Sequence, residues 1–93
     1  MLTKLVMKIH IVDDFIDKIR RHPVYIAAIQ ADPSSALRVD DFERALHALF
    51  ASDDERAIEL SDQVRRVIER KHVSLKKRMA TIQQILRASS VHV

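Results

Sequence analysis

The chain has no glycine, no cysteine and only two prolines in its 93 residues. β-rich folds draw on glycine for turns whose backbone needs positive φ, so its absence favours an all-helical fold. Without cysteine there is no disulfide framework, no thiolate nucleophile and no cysteine-ligated zinc. That fits a reducing compartment such as the cytoplasm. No apolar run approaches the ~20 residues of a membrane span. The apolar N-terminal run is broken by Lys8 and His10, which argues against a signal peptide. The expectation is a soluble intracellular chain with no membrane association.

At 47% hydrophobic and 31% charged residues, the composition is that of a folded chain and too apolar for a disordered one. The length fits one domain with a single core. The formal charge of +3 conceals a polarity. From Val64 onward there are Arg65, Arg66, Arg70, Lys71, Lys76, Lys77, Arg78 and Arg87 against Glu69 alone, a net of +7, while residues 1–63 carry −4. A basic end and an acidic body are compatible with an anionic partner, with head-to-tail self-association, or with neutralisation inside the monomer.

Hydrophobic periodicity predicts a small bundle of four to five helices. Leu2, Leu5, Val6, Ile9, Val12, Phe15, Ile16 and Ile19 fall on one helical stripe over residues 1–21. A strand over Leu5–Ile11 is the rival, because apolar residues also alternate there. His22-Pro23 breaks the chain, and Pro23 suits the first position of the next helix. That helix, Pro23 to about Ala31, is short and mostly apolar, which predicts burial on several sides. Asp32-Pro33-Ser34-Ser35 has turn chemistry, and a further helix starts near Val39 or Asp40. Its core stripe is Phe42, Ala45, Leu46, Leu49 and Phe50, with Asp40, Asp41 and Glu43 in its first turn. Ser52-Asp53-Asp54-Glu55 has the pattern of a capping box. It opens a C-terminal helical stretch to about Ala88, the longest element, with a seam of Ala57, Ile58, Ser61, Val64, Ile68, Leu75, Met79, Ile82 and Leu86. With no glycine or proline inside it, this stretch is one long helix or two nearly collinear ones, the point of division being His72-Val73-Ser74, where Ser74 would cap a separate last helix. Residues 89–93 lack periodicity and read as a frayed tail.

Few residues carry chemistry. The aromatics Phe15, Tyr25, Phe42 and Phe50 all lie on apolar stripes and are expected in the core. The spacings His10–Asp14, Glu43–His47 and Glu69–His72 put a carboxylate and an imidazole on one helix face. Paired di-iron motifs need the Glu-x-x-His spacing twice, and it occurs here once, among cations that oppose a metal. No serine is placed beside an orienting base and no glycine-rich phosphate loop exists, so neither an enzyme, nor a cofactor, nor a small-molecule substrate is expected.

Two functional readings remain. The leading one is a non-catalytic helical module that binds another protein or a second copy of itself: an adaptor, a chaperone-like protein or an inhibitor. Leu75, Met79, Ile82 and Leu86, spaced 4-3-4, are its candidate contact seam, which by default packs within the chain and otherwise forms a homodimer or docks on a partner. The alternative is a nucleic-acid-binding regulator that uses Arg65, Arg66, Arg70, Lys71, Lys77 and Arg78 as phosphate contacts. If residues 5–11 are a strand, the chain resembles the ribbon-helix-helix repressors. That resemblance implies dimerisation through the strand, with Lys4, Val6, Lys8 and His10 facing a DNA groove. It covers about a third of the chain, and His22-Pro23 and the lack of glycine depart from the pattern.

Overall fold

The computed structural model describes the backbone of residues 2–52 and 54–89, and their side chains except those of residues 2–7, 35 and 37. The described chain is all-α, with helices α1 (Leu2–Arg21), α2 (Pro23–Ala31), α3 (Ser34–Ala51), α4 (Glu55–Ile68) and α5 (Leu75–Ala88). Asp53 and residues 90–93, which include most of the expected frayed tail, lie outside the described residues.

Residues 5–11 belong to α1. The strand alternative is therefore overturned, and the resemblance to ribbon-helix-helix repressors goes with it. The helical stripe prevails because Ile9 packs against the core cluster in line with Val12, Phe15, Ile16 and Ile19, at steps of three and four that a strand over residues 5–11 would not continue. Those side chains meet Val39, Phe42, Ala45, Leu46, Leu49 and Phe50 of α3, Val64, Val67 and Ile68 of α4, and Ile82 and Leu86 of α5 in one cluster. Phe15, Phe42 and Phe50 are buried as expected, and Tyr25 is only half-buried, packed against the core cluster.

Local capping moves three boundaries. Helix α3 begins at Ser34, well before Val39. The Asp32 carboxylate accepts the Ser34 amide at 3.1 Å and the Ser34 hydroxyl at 2.8 Å. These bonds tie the turn into a helix start and hold the Asp32 carboxyl below the usual carboxylate value. Asp40, Asp41 and Glu43 thus lie in mid-helix rather than in a first turn.

The capping box at Ser52 is not formed. Helix α3 runs through Ala51, and Ser52 closes it by donating its backbone N–H to Leu49 O. The cap of α4 is Asp54, whose carboxylate accepts the Arg56 amide at 2.8 Å. Asp54→Ala is expected to cost about 1 kcal/mol, a fall in Tm of roughly 4–8 °C for a domain of this size. Thermal melts followed by circular dichroism would measure it.

Of the readings of the C-terminal stretch, the division at Ser74 is the one observed, and neither one long helix nor two nearly collinear ones is formed. Helix α4 ends at Ile68, Ser74 accepts the Lys77 amide at 3.2 Å, and α5 starts at Leu75. Both helices pack on α1 and on each other, so they form a hairpin around the turn at 69–74 and are not collinear. At 20 residues, α1 is the longest helix described. Ser61, the one serine in the expected seam, is buried and donates to Ala57 O at 2.7 Å, with Leu49 O a second acceptor at 3.2 Å. It fastens α4 to the end of α3.

Candidate functional site

The expected contact seam on α5 is consumed by the chain's own core. Ile82 and Leu86 are fully buried, and Leu75 and Met79 pack half-buried against the same cluster. The 4-3-4 spacing closes the α5 side of this bundle, and Ile82 and Leu86 have no surface to offer a partner.

The apolar surface is on α2 instead. This helix has no charged residue, yet none of its residues is buried. Val24 is 57% and Ile26 44% exposed. Tyr25 and Ile29 are half-buried and face the bundle, while Ala27, Ala28 and Ala31 are open to solvent. The expectation of burial on several sides fails because α2 packs only on α1 and α3, leaving its outer side uncovered. His22 caps the helix, its Nδ1 accepting the Val24 amide at 3.2 Å. Apolar residues around the whole circumference gave periodicity no face to select, so the sequence could not mark the outer one. Ile58 on α4, 44% exposed, is a lone surface residue of the ordinary kind.

The basic run divides into three kinds of residue. Arg78 is buried, 7% exposed, and donates from Nη1 to Ile68 O at 2.6 Å. Its guanidinium lies 5.5 Å from the centre of the Phe15 ring. It therefore caps the C-terminus of α4 from α5, a favourable place for a cation, and it cannot serve as a phosphate contact. The expectation for Arg78 is corrected on that ground. Arg65 is committed to its own helix, 3.0 Å from Glu69 and 3.9 Å from Asp62. Arg66, Arg70, Lys71 and Lys77 are exposed, as is Lys76, and none makes an ion pair among the described residues.

A third cluster braces α1 to α3. Arg20 reaches Asp40 at 2.6 Å and Glu43 at 3.0 Å, and the Glu43 hydrogen bond raises the guanidinium above its ordinary value. His47 Nε2 meets Asp13 at 2.8 Å. The Glu43–His47 spacing noted in the sequence is thus joined by Asp13, with one ligand atom from each within 4.8 Å of the others. Each of these groups already has a partner in the protein, so the arrangement reads as an interhelical ion-pair brace. The other spacings do not converge in this way: His10 is exposed beside a shallow groove with Asp13, Asp14 and Asp17, and Glu69 is held by Arg65.

No protein-family model matches the chain, and no curated protein or solved structure matches it. No described helix is long and apolar enough to cross a membrane.

Proposed function

We propose that this chain is a non-catalytic helical interaction module that docks on a helix of another protein through the outer side of α2. One observation carries the reading: an uncharged helix that buries none of its residues. Packing against α1 and α3 fixes α2 in place through Tyr25 and Ile29, so the exposed side is presented on a held element and not on a free peptide. Val24, Ala27, Ala28 and Ala31 are spaced i, i+3, i+4, i+7, the rhythm with which a helix meets an apolar helical groove. Val24 sits at the centre of that stripe and the three alanines around it allow a close approach, whereas Ile26 lies about 200° round the helix from Val24 and outside the stripe. The described serines support a non-catalytic role, since their hydroxyls bond locally. Ser34 bonds Asp32, Ser52 bonds the Asp54 amide, Ser61 bonds Ala57 O, Ser74 bonds the Lys77 amide and Ser89 bonds Ile85 O. None is paired with a histidine.

The test is site-specific photo-crosslinking in the source cells. A benzophenone side chain is placed at Val24 and, as a control, at Arg56 on the exposed surface of α4. Position 24 is expected to give one saturable adduct with a second protein, absent from position 56 and lost in Ala28→Glu. Because residue 28 is exposed, Ala28→Glu should change folding stability by no more than about 0.5 kcal/mol. An adduct containing only this chain, matched by a dimer in sedimentation, replaces the foreign partner with a second copy. Equal labelling from both positions overturns the docking surface.

A further inference from the structure

The division of the C-terminal stretch into α4 and α5 changes the meaning of its charges. In one continuous helix the cations would lie in the C-terminal half, where the helix dipole favours them. In the hairpin only Arg65, Arg66 and Arg87 lie in the last turn of a helix. Lys76 and Lys77 are in the first turn of α5, which contains no acidic residue. There the dipole is positive and the free backbone N–H groups already attract anions, so two lysines oppose the helix. Helix stability does not explain them.

Local pairing does not explain them either. On α1, every cation with a described side chain has a carboxylate partner: Lys8 with Asp62, Lys18 with Asp14, Arg20 with Asp40 and Glu43, and Arg21 with Asp17. At the hairpin end, Arg66, Arg70, Lys71, Lys76 and Lys77 are all exposed and unpaired among the described residues. They lie in the last turn of α4, the connecting turn and the first turn of α5, so one end of the hairpin gathers an uncompensated positive charge.

The surroundings select the class of anion. Val73 and Leu75 beside the cations are half-buried, and Leu75 packs on the core, so no fully exposed apolar side chain is available there to enter a bilayer. No aromatic residue occurs from Val64 to Ser89, which removes the stacking platform used for unpaired bases. A regular array of phosphates fits what remains. We infer that the α4–α5 hairpin end binds the phosphate backbone of double-stranded nucleic acid without reading its sequence, through Arg66, Arg70, Lys71, Lys76 and Lys77. This surface is independent of α2.

The experiment is fluorescence anisotropy of a labelled DNA duplex titrated with the full chain between 50 and 300 mM salt. Nonspecific binding of this kind has a Kd on the order of 10⁻⁴–10⁻⁶ M near physiological salt. Five phosphate contacts give a log–log salt slope of about −4 to −5. Arg70→Glu/Lys77→Glu should weaken binding at 50 mM salt by about 100-fold and flatten the slope by about 2. A control with the same net charge, Arg38→Glu/Arg56→Glu, should change affinity by less than about threefold at the same salt. Arg78→Met should leave the affinity of the folded protein unchanged, and so should Ala28→Glu, which keeps this result separate from the fate of the α2 surface.

Absence of binding at 50 mM salt overturns the inference. Equal weakening by the two double variants also overturns it, because the attraction is then the diffuse charge of the whole protein. Tighter binding to phosphatidylserine vesicles or to polyglutamate than to the duplex, at matched anion concentration, assigns the patch to a membrane or an acidic protein instead.

Discussion

Phe15→Ala is expected to lower the melting temperature by about 15–30 °C. Phe15 is 1% exposed and packs in the cluster formed by α1, α3, α4 and α5. Removing a buried phenyl ring costs about 3–5 kcal/mol, from lost transfer energy and from the cavity left behind. The same ring lies 5.5 Å from the Arg78 guanidinium, a contact contributing about 0.5–2 kcal/mol when desolvated. A domain of this size has roughly 5–14 kcal/mol of total stability, so the substitution removes a large share of it. Phe15→Leu refills most of the volume but lacks the π face, and its smaller loss isolates the ring's contribution. Circular dichroism melts with parallel urea titrations measure both. A Phe15→Ala loss below about 1 kcal/mol would mean that the four-helix cluster is not the core of the folded chain.

Arg78→Ala is expected to destabilise the chain by about 3 kcal/mol. A hydrogen bond from a charged donor contributes about 1.5–3 kcal/mol net, and here the bond to Ile68 O is short, 2.6 Å, and buried. Its loss leaves the last carbonyl of α4 without that partner and removes the cation from above Phe15. One term acts in the other direction: Arg78 Nε is buried without a hydrogen-bond partner, and its desolvation penalty disappears with the side chain. Arg78→Met keeps the apolar stem and deletes the charge, so its loss should be smaller, about 1–2 kcal/mol. Hydrogen exchange should show the largest fall in protection at the end of α4 and in the 69–74 turn. A double-mutant cycle with Phe15→Leu should give a coupling of about 0.5–2 kcal/mol. If Arg78→Ala changes stability by less than about 0.5 kcal/mol, Arg78 is not the cap that joins the two arms of the hairpin.

Arg78 also illustrates what could have been read and was not. In the sequence it is one cation among eight after Val64, and it reads as one more phosphate contact. Its position nevertheless lies four residues before Ile82 and eight before Leu86, in line with the most deeply buried residues of α5. The period places its stem toward the core. What the period cannot supply is the carbonyl at Ile68, because that group is free only if α4 stops there. Where α4 stops depends on Ser74 capping a new helix and on both helices finding room against α1.

The helix starts differ from expectation for a related reason. Ser52 and Asp54 both have capping chemistry, and sequence pattern alone favoured the first. Once α3 extends to Ala51, the backbone of Ser52 is used to end that helix, and Asp54 takes the role. Asp32 initiates α3 in the same competitive way, holding Ser34 through both its amide and its hydroxyl.

The sequence by itself determined the all-α character, the identity of nearly every core residue on α1 and α3, and the break at His22-Pro23. These follow from glycine shortage, from a 3.6-residue period and from proline geometry, all of which act over a few neighbouring residues. Tertiary structure alone decided which of its options the α5 seam takes, that α2 keeps an uncovered apolar side, and that two lysines oppose a helix dipole at the hairpin end. Each of these depends on which helix lies beside which. Period fixes the directions in which side chains leave a helix, but only the packed arrangement fixes which of those directions meets another helix and which meets water.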